Sequence, residues 1–389
     1  MLFTSDIDIF GEKLEIYRNC FSKPQWRHFK TYMNGLVVSE KGEKNIQDII
    51  SNTLNGRSQS SLNRFLTRHR WNVRRLNNLR LKENLEGIEE GGVLILDDSF
   101  IEKTGKSMDG VGYLYDHSKK KSILCHDIVS TLYINGNRRV PLYFNPYLKK
   151  EVAEELDIWF KTRIEIAIEL LKKSFLWVKP RVVVFDEWYM SKEILEFLNS
   201  HGFDWVSMAK SNRLILQENG EWINLEKYSK IISKNCFKKI DKELDERRYR
   251  WFYETVVVMK NVGEIKLVIL KERINSKSCK FLVSSNTSMG GLEVLEYYKK
   301  RWNIEVFYRD CKQHLGMGEY QVRKLDAVVI HLHLVFLAYT LLKNNCFNPI
   351  VKEILQGIKA IGSICSRLKR WVLRQLLKIL KKSPLILPG

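Results

Sequence analysis

The sequence has no Cys-x-x-Cys pair; its seven cysteines, at positions 20, 125, 236, 279, 311, 346 and 365, are scattered. That spacing indicates neither a disulfide framework nor a zinc site, which leaves free thiols. Long apolar runs are missing as well. No stretch of eighteen or more uncharged apolar residues occurs, and Met1-Leu2-Phe3-Thr4-Ser5-Asp6 lacks the basic region and apolar core of a signal peptide. These absences predict a protein of the cytoplasm with no membrane partner. Acidic residues are in short supply, 45 against 65 Lys plus Arg, for a net charge of +20. The excess predicts a polyanionic partner, nucleic acid ahead of an anionic membrane surface.

What is present is the composition of a folded chain. Its 389 residues, 44% hydrophobic and 11% aromatic, provide for two or three domains. Two short apolar runs end in acids: Val93, Leu94, Ile95 and Leu96 lead into Asp97 and Asp98, and Val182, Val183, Val184 and Phe185 lead into Asp186. Each run reads as a buried strand. An ionised carboxylate at the end of such a strand is costly to desolvate unless something compensates it, and a divalent cation does so well. Neighbours in a strand point to opposite faces, so only one of Asp97 and Asp98 can easily meet a metal.

A third acid lies far downstream. Tyr298, Arg301, Glu305 and Lys312 follow at offsets of three, four and seven, and on one helix they present a carboxylate flanked by cations and an aromatic. That set suits holding a metal ion beside a phosphodiester: the acid ligates the ion and the cations grip phosphate oxygens.

The chain divides into five stretches. Residues 1–88 read as helical and basic, with Ile46, Ile49, Ile50 and Leu54, a break at Asn55-Gly56, and a serine-capped segment carrying Arg57, Arg64 and Arg68. This is the outline of a helix-turn-helix, and the interleaved Trp71 favours a face toward DNA. Residues 89–212 predict an α/β sheet with parallel and antiparallel pairs, including a helix over 150–176 with Trp159 among its apolar positions. Residues 213–290 read as a β-rich insertion, filling much of the gap between Asp186 and Glu305. Residues 291–345 hold the Glu305 helix and an apolar helix over 328–342, too short to cross a bilayer. Residues 346–389 form a basic tail whose Leu368, Trp371, Val372 and Leu376 predict an amphipathic helix packed on the protein.

Tyr298-x2-Arg301-x3-Glu305-x6-Lys312 resembles the YREK motif of bacterial insertion-sequence transposases of the DDE superfamily. Leu94-Ile95-Leu96-Asp97-Asp98-Ser99, with Glu102-Lys103 and Tyr115-Asp116-His117-Ser118 after it, resembles the first-aspartate region of related members, and Val184-Phe185-Asp186-Glu187-Trp188-Tyr189 the second. The match spans roughly residues 90–345. The resemblance implies a ribonuclease-H-like mixed sheet with flanking helices and an insertion before the last acid. It implies DNA hydrolysis and 3′-hydroxyl strand transfer with two Mg2+ ions, Mn2+ substituting, held by the catalytic Asp97, Asp186 and Glu305. Members similar to this chain show Asp-x-Ser or Asp-x-Thr, which favours Asp97 over its alternative Asp98. Arg301 and Lys312 are then phosphate contacts, Tyr298 a contact to the DNA end, and Trp302 a stacking residue.

The expected partner is double-stranded DNA, both the element's terminal inverted repeats and the target, bound by a homodimer in the nucleoid of a bacterial cell. Two other readings compete: a ribonuclease-H-like DNA nuclease without strand transfer, and an inactive DNA-binding derivative.

Overall fold

The computed structural model describes residues 7–54, 56–68, 71–240 and 249–382; Asn55, part of the expected N-terminal break, lies outside them. Twelve strands occur among the described residues: β1 (Val93–Glu102), β2 (Gly112–Asp116), β3 (Lys121–Asn135), β4 (Arg138–Tyr147), β5 (Val182–Phe185), β6 (Asp204–Ala209), β7 (Leu214–Leu216), β8 (Trp222–Asn224), β9 (Lys238–Lys239), β10 (Trp251–Met259), β11 (Gly263–Lys271) and β12 (Lys280–Ser284). They join in one mixed sheet in the order β2-β3-β1-β5-β6-β12-β11-β10-β7-β8, with β4 on β3 and β9 on β10. Only β1 with β5 and β5 with β6 run parallel. The insertion is continuous with this sheet: β12 pairs with β6 and extends it.

β5 is Val-Val-Val-Phe, buried throughout, as expected of a parallel strand covered on both faces. Val93, Ile95, Val182 and Val184 point into one core, which includes Val294, Leu295, Ile304 and Phe307 from the helices Gly291–Lys300 and Trp302–His314. Leu94, Leu96, Val183 and Phe185 point into the other, under the helices Arg163–Phe175 and Lys192–Ser200.

β1 is longer than its apolar run. Its antiparallel ladder with β3 continues from Val93 to Glu102, whereas β5 accompanies it only from Val93 to Ile95. Asp97 and Asp98 consequently sit in mid-strand, just past the last parallel pair, and not at a strand end.

The helix expected over 150–176 is two helices, Lys150–Glu155 and Arg163–Phe175. Asp157, at φ 53°, breaks the first, and Thr162 opens the second with a capping box to Glu165. Trp159 falls in the connection and is 85% exposed, so it is no core residue.

The apolar helix, Leu325–Lys343, has 19 residues and is long and apolar enough to cross a membrane, contrary to the reading that it is too short. It is instead mostly buried inside the fold, with Tyr32 Oη 2.8 Å from His331 Nδ1. Buried Arg80 donates to Thr340 Oγ1 at 3.2 Å, Pro141 O at 2.5 Å and Leu142 O at 2.9 Å. The N-terminal helices are thus packed into the main core. Trp71 belongs to that packing: it stacks on Phe65 with centroids 5.3 Å apart and donates to Phe65 O, so it does not face DNA. Arg57, Arg64 and Arg68 do lie exposed. In the C-terminal helix Ile361–Lys382, Leu368, Val372 and Leu376 are buried and Trp371 is half-buried, as the amphipathic pattern predicts.

Candidate active site

Strand register brings the first two acids together. Ile95 pairs with Val184, and two residues further along come Asp97 in β1 and Asp186, the first residue past β5, on the same face. Asp186 is turned back at the end of β5, where its Oδ1 accepts from the backbone N–H groups of Trp188 at 2.9 Å and Tyr189 at 3.3 Å. Ser207 Oγ on β6 donates to its carbonyl oxygen.

Glu305 approaches the same face from above. The single helix expected to carry Tyr298 through Lys312 is interrupted at Arg301, between Gly291–Lys300 and Trp302–His314; its N–H bonds Tyr298 O, a three-residue closure that replaces the α-helical one. Arg301 then reaches both acids: Nη1 donates to Asp97 Oδ2 at 2.8 Å and Nη2 donates to Glu305 Oε1. Its Cζ lies 6.0 Å from the centre of the Tyr298 ring.

Two further side chains fasten the helix to β1. Tyr308 Oη donates to Asp97 O at 3.0 Å and lies 2.7 Å from Ser130 Oγ, while Lys312 Nζ donates to Ser99 Oγ at 2.8 Å and Phe100 O at 2.7 Å. Arg301, Glu305, Tyr308 and Lys312 are spaced as one helical face.

Asp98 is separated from this group. It points to the opposite face, where Tyr189 Oη donates to its Oδ1 at 2.8 Å. The neighbouring Asp127 Oδ2 accepts from Arg163 Nε at 2.5 Å, and the Arg163 guanidinium lies 4.1 Å from the Tyr147 ring centre.

A family model described as "DDE superfamily endonuclease" matches residues 17–221, over half of the chain. The chain belongs to the DDE superfamily. A second model, "Transposase DDE domain", matches residues 161–341, and the protein is an enzyme of the DDE nuclease and transposase class. It is 21% identical over 373 residues to "Probable transposase for insertion sequence element IS701" from Microchaete diplosiphon, covering 92% of this chain and 94% of that one. Among solved structures it is similar to the piggyBac transposase synaptic complex with hairpin DNA determined by cryo-EM. The TM-score is 0.52 at 11% identity, over 97% of this chain and 79% of that one, a likeness of fold, which is ribonuclease-H-like.

The charges at this candidate site are unevenly matched. Burial pushes the Asp97 carboxyl well above the usual carboxylate range, Arg301 opposes that, and the charges of Asp98 and Asp186 add to it. Burial also works against the charge on Arg301, but Asp97, Tyr298 and Glu305 outweigh it and its pKa rises. Burial pushes Tyr298 up to about 12. Lys312 is lowered by burial and by Lys119.

Among the described residues, no three His, Cys, Asp or Glu side chains converge closely enough to hold a metal ion; Arg301 takes one oxygen from each of Asp97 and Glu305. The donor set still fits a hard divalent ion, with three carboxylates, no soft ligand, and a buried Asp97 that already recruits a cation.

Of the expected DNA contacts, Trp302 is 59% exposed at the first position of the helix that follows Arg301, contrary to the usual fate of a helix aromatic as core. Sequence reasoning missed Tyr308, for which helical spacing from Glu305 is the available signal. It missed Tyr189, Asp127 and Arg163 as a group, because their partnership crosses β1, β3 and a helix. Trp188, two residues past Asp186, is 44% exposed, and nothing in its sequence neighbours marks it as open to a ligand.

Proposed function

We propose that this enzyme is a transposase that cuts double-stranded DNA at the ends of an insertion sequence and joins the freed 3′-hydroxyl to a target. Asp97, Asp186 and Glu305 would hold two Mg2+ ions, with Mn2+ able to replace them. The observation that carries the reading is the meeting of two of these acids through Arg301, with Asp186 at the end of the strand next to that of Asp97. Bound ions would polarise the scissile phosphate and make water or a 3′-hydroxyl a better nucleophile at neutral pH.

The chain's own residues do the rest. Asp97 and Asp186 fix one wall of the site on rigid strands, and Tyr308 and Lys312 hold the Glu305 helix in register against it. Arg301 offers its planar fork to a phosphate. Trp302 and Trp188 offer exposed rings on which an unpaired base can stack. Arg57, Arg64 and Arg68 bind the backbone outside the site, which supplies affinity without sequence choice. A homodimer on the two element ends, in the cytoplasm and on the nucleoid, completes the reading.

The test is a joining assay on supercoiled plasmid carrying the ends of the encoding element. Wild type is expected to give cleaved and 3′-joined products with Mg2+, and Asp186→Ala and Glu305→Ala to give neither while still binding DNA. A wild-type protein that binds these ends but never cuts, with Mg2+ or Mn2+, contradicts the proposal.

A further inference from the structure

Arg301 takes oxygens from two acids that the proposed function gives to metal. Its bonds to Asp97 Oδ2 and Glu305 Oε1 bridge β1 and the helix Trp302–His314, and a bridging cation there competes with any ion seeking the same oxygens. We infer that Arg301 is the resting counter-ion of the active site, and that a DNA phosphate draws it off the carboxylates, so that DNA binding and metal binding favour each other through this side chain. The inference rests on the proposed assignment of Asp97 and Glu305 as metal ligands.

Three observations separate this role from a structural one. Docking of the helix does not require Arg301, because Tyr308 and Lys312 bond directly to the β1 backbone and to Ser99. Lys312 cannot take its place, since its ammonium is already held by Ser99 Oγ and Phe100 O. Arg301 also sits where it can be reached: it lies at the interruption between two helices, its side chain is 19% exposed, and Trp302 beside it is open to solvent.

The competing states follow from simple electrostatics. Two carboxylates brought together at a partly buried site need positive charge, and without metal the guanidinium supplies it. A phosphodiester gives the guanidinium an alternative bidentate partner. Once it turns, the oxygens of Asp97 and Glu305 are free for divalent ions, whose charge in turn holds the phosphate. Binding linkage is reciprocal, so the ion must tighten DNA by the same factor that DNA tightens the ion.

The experiment measures Mn2+ binding by loss of the free-ion electron paramagnetic resonance signal, with no turnover involved. Wild type, Arg301→Gln and Glu305→Gln are compared alone and with a short duplex that ends at the element boundary, leaving nothing to cut. DNA is expected to tighten Mn2+ on wild type by about tenfold or more. Arg301→Gln is expected to bind Mn2+ without DNA as tightly as wild type does with it, and to gain little when DNA is added. In EDTA, Arg301→Gln is expected to melt several degrees below wild type, and Mn2+ to restore it, because the acids then lack their cation.

If Arg301→Gln binds Mn2+ no better than wild type while Glu305→Gln abolishes binding, the counter-ion role is overturned and the metal site stands. If Glu305→Gln leaves Mn2+ binding unchanged in every state, the ligand assignment itself fails and the inference falls with it. Should Arg301→Gln not fold without metal, Arg301→Lys, which keeps charge but loses the fork, is expected to show a smaller shift in the same direction. Unchanged Mn2+ affinity in Arg301→Lys overturns the inference as well.

Discussion

Tyr189 donates its hydroxyl to Asp98 Oδ1 at 2.8 Å, holding that carboxylate on the face of β1 opposite to the one where Asp97 meets Arg301. Adjacent aspartates thereby acquire separate surroundings. Tyr189 is fully buried and Asp98 half-buried, so Tyr189→Phe removes one donor from that carboxyl, at an expected cost of about 1 kcal/mol. Urea unfolding checks the cost, and DNA cleavage at saturating metal is expected to survive within a few fold. Loss of cleavage as severe as that of an Asp97 variant would mean that Asp98 belongs to the reacting side.

Tyr308 makes a different prediction, because its bond to Asp97 O joins the Glu305 helix to β1. Tyr308→Phe keeps the buried ring and removes that fastening together with the hydroxyl contact to Ser130 Oγ. The helix is expected to lose register by a fraction of an ångström, lowering the cleavage rate about tenfold or more while DNA affinity holds. Single-turnover cleavage with parallel binding measurements separates the two. An unchanged rate would show that the bonds of Lys312 and Arg301 suffice to seat the helix.

Stability should depend on pH through Asp127. Its carboxyl is pushed up to about 7, first by burial and then by the charge of Asp98, against the pull of Arg163. The folded state therefore keeps a proton that the unfolded chain, with an ordinary value of 3.8, releases. The sign follows from linkage: this contribution is fully present below the unfolded value and is lost as pH rises through the folded one. Between those values the melting temperature of wild type is expected to fall with rising pH more steeply than that of Asp127→Asn. Parallel profiles would remove Asp127 as the cause.

The exposed arginines near the N-terminus should act through charge alone. Replacing Arg57, Arg64 and Arg68 with Gln is expected to weaken binding to specific and unrelated duplexes alike. The dependence of log affinity on log salt should become shallower by about 0.9 for each phosphate that is no longer neutralised. A drop confined to the element ends would instead make this face a reader of sequence.

Much of this site is legible in the sequence. The acids stand where apolar runs end, and helical spacing alone groups Arg301, Glu305 and Lys312. What escapes such reading depends on pairing across distance. Asp97 resembles a strand-end residue because apolar character stops at Leu96, yet the antiparallel partner β3 carries the ladder on to Glu102. Trp159 fits helical periodicity, but Asp157 ends that helix two residues earlier. Trp71 carries nothing in its neighbours to say that it stacks inward on Phe65. The break at Arg301 is also invisible in residue types, since that residue keeps helical backbone angles. That break lies beside the side chain that bridges Asp97 and Glu305.

The most direct test of the account is metal-dependent cleavage of a labelled duplex bearing one element end, by Asp97→Asn, Asp98→Asn, Asp186→Asn and Glu305→Gln. Each variant is first shown to be folded and to bind the duplex. Asp97→Asn, Asp186→Asn and Glu305→Gln are predicted to lose at least about a thousandfold in rate, losses that do not add when combined, and Asp98→Asn to remain within about tenfold of wild type. A protein that still cuts without Asp97 but not without Asp98, or that cuts without Glu305, would contradict the account.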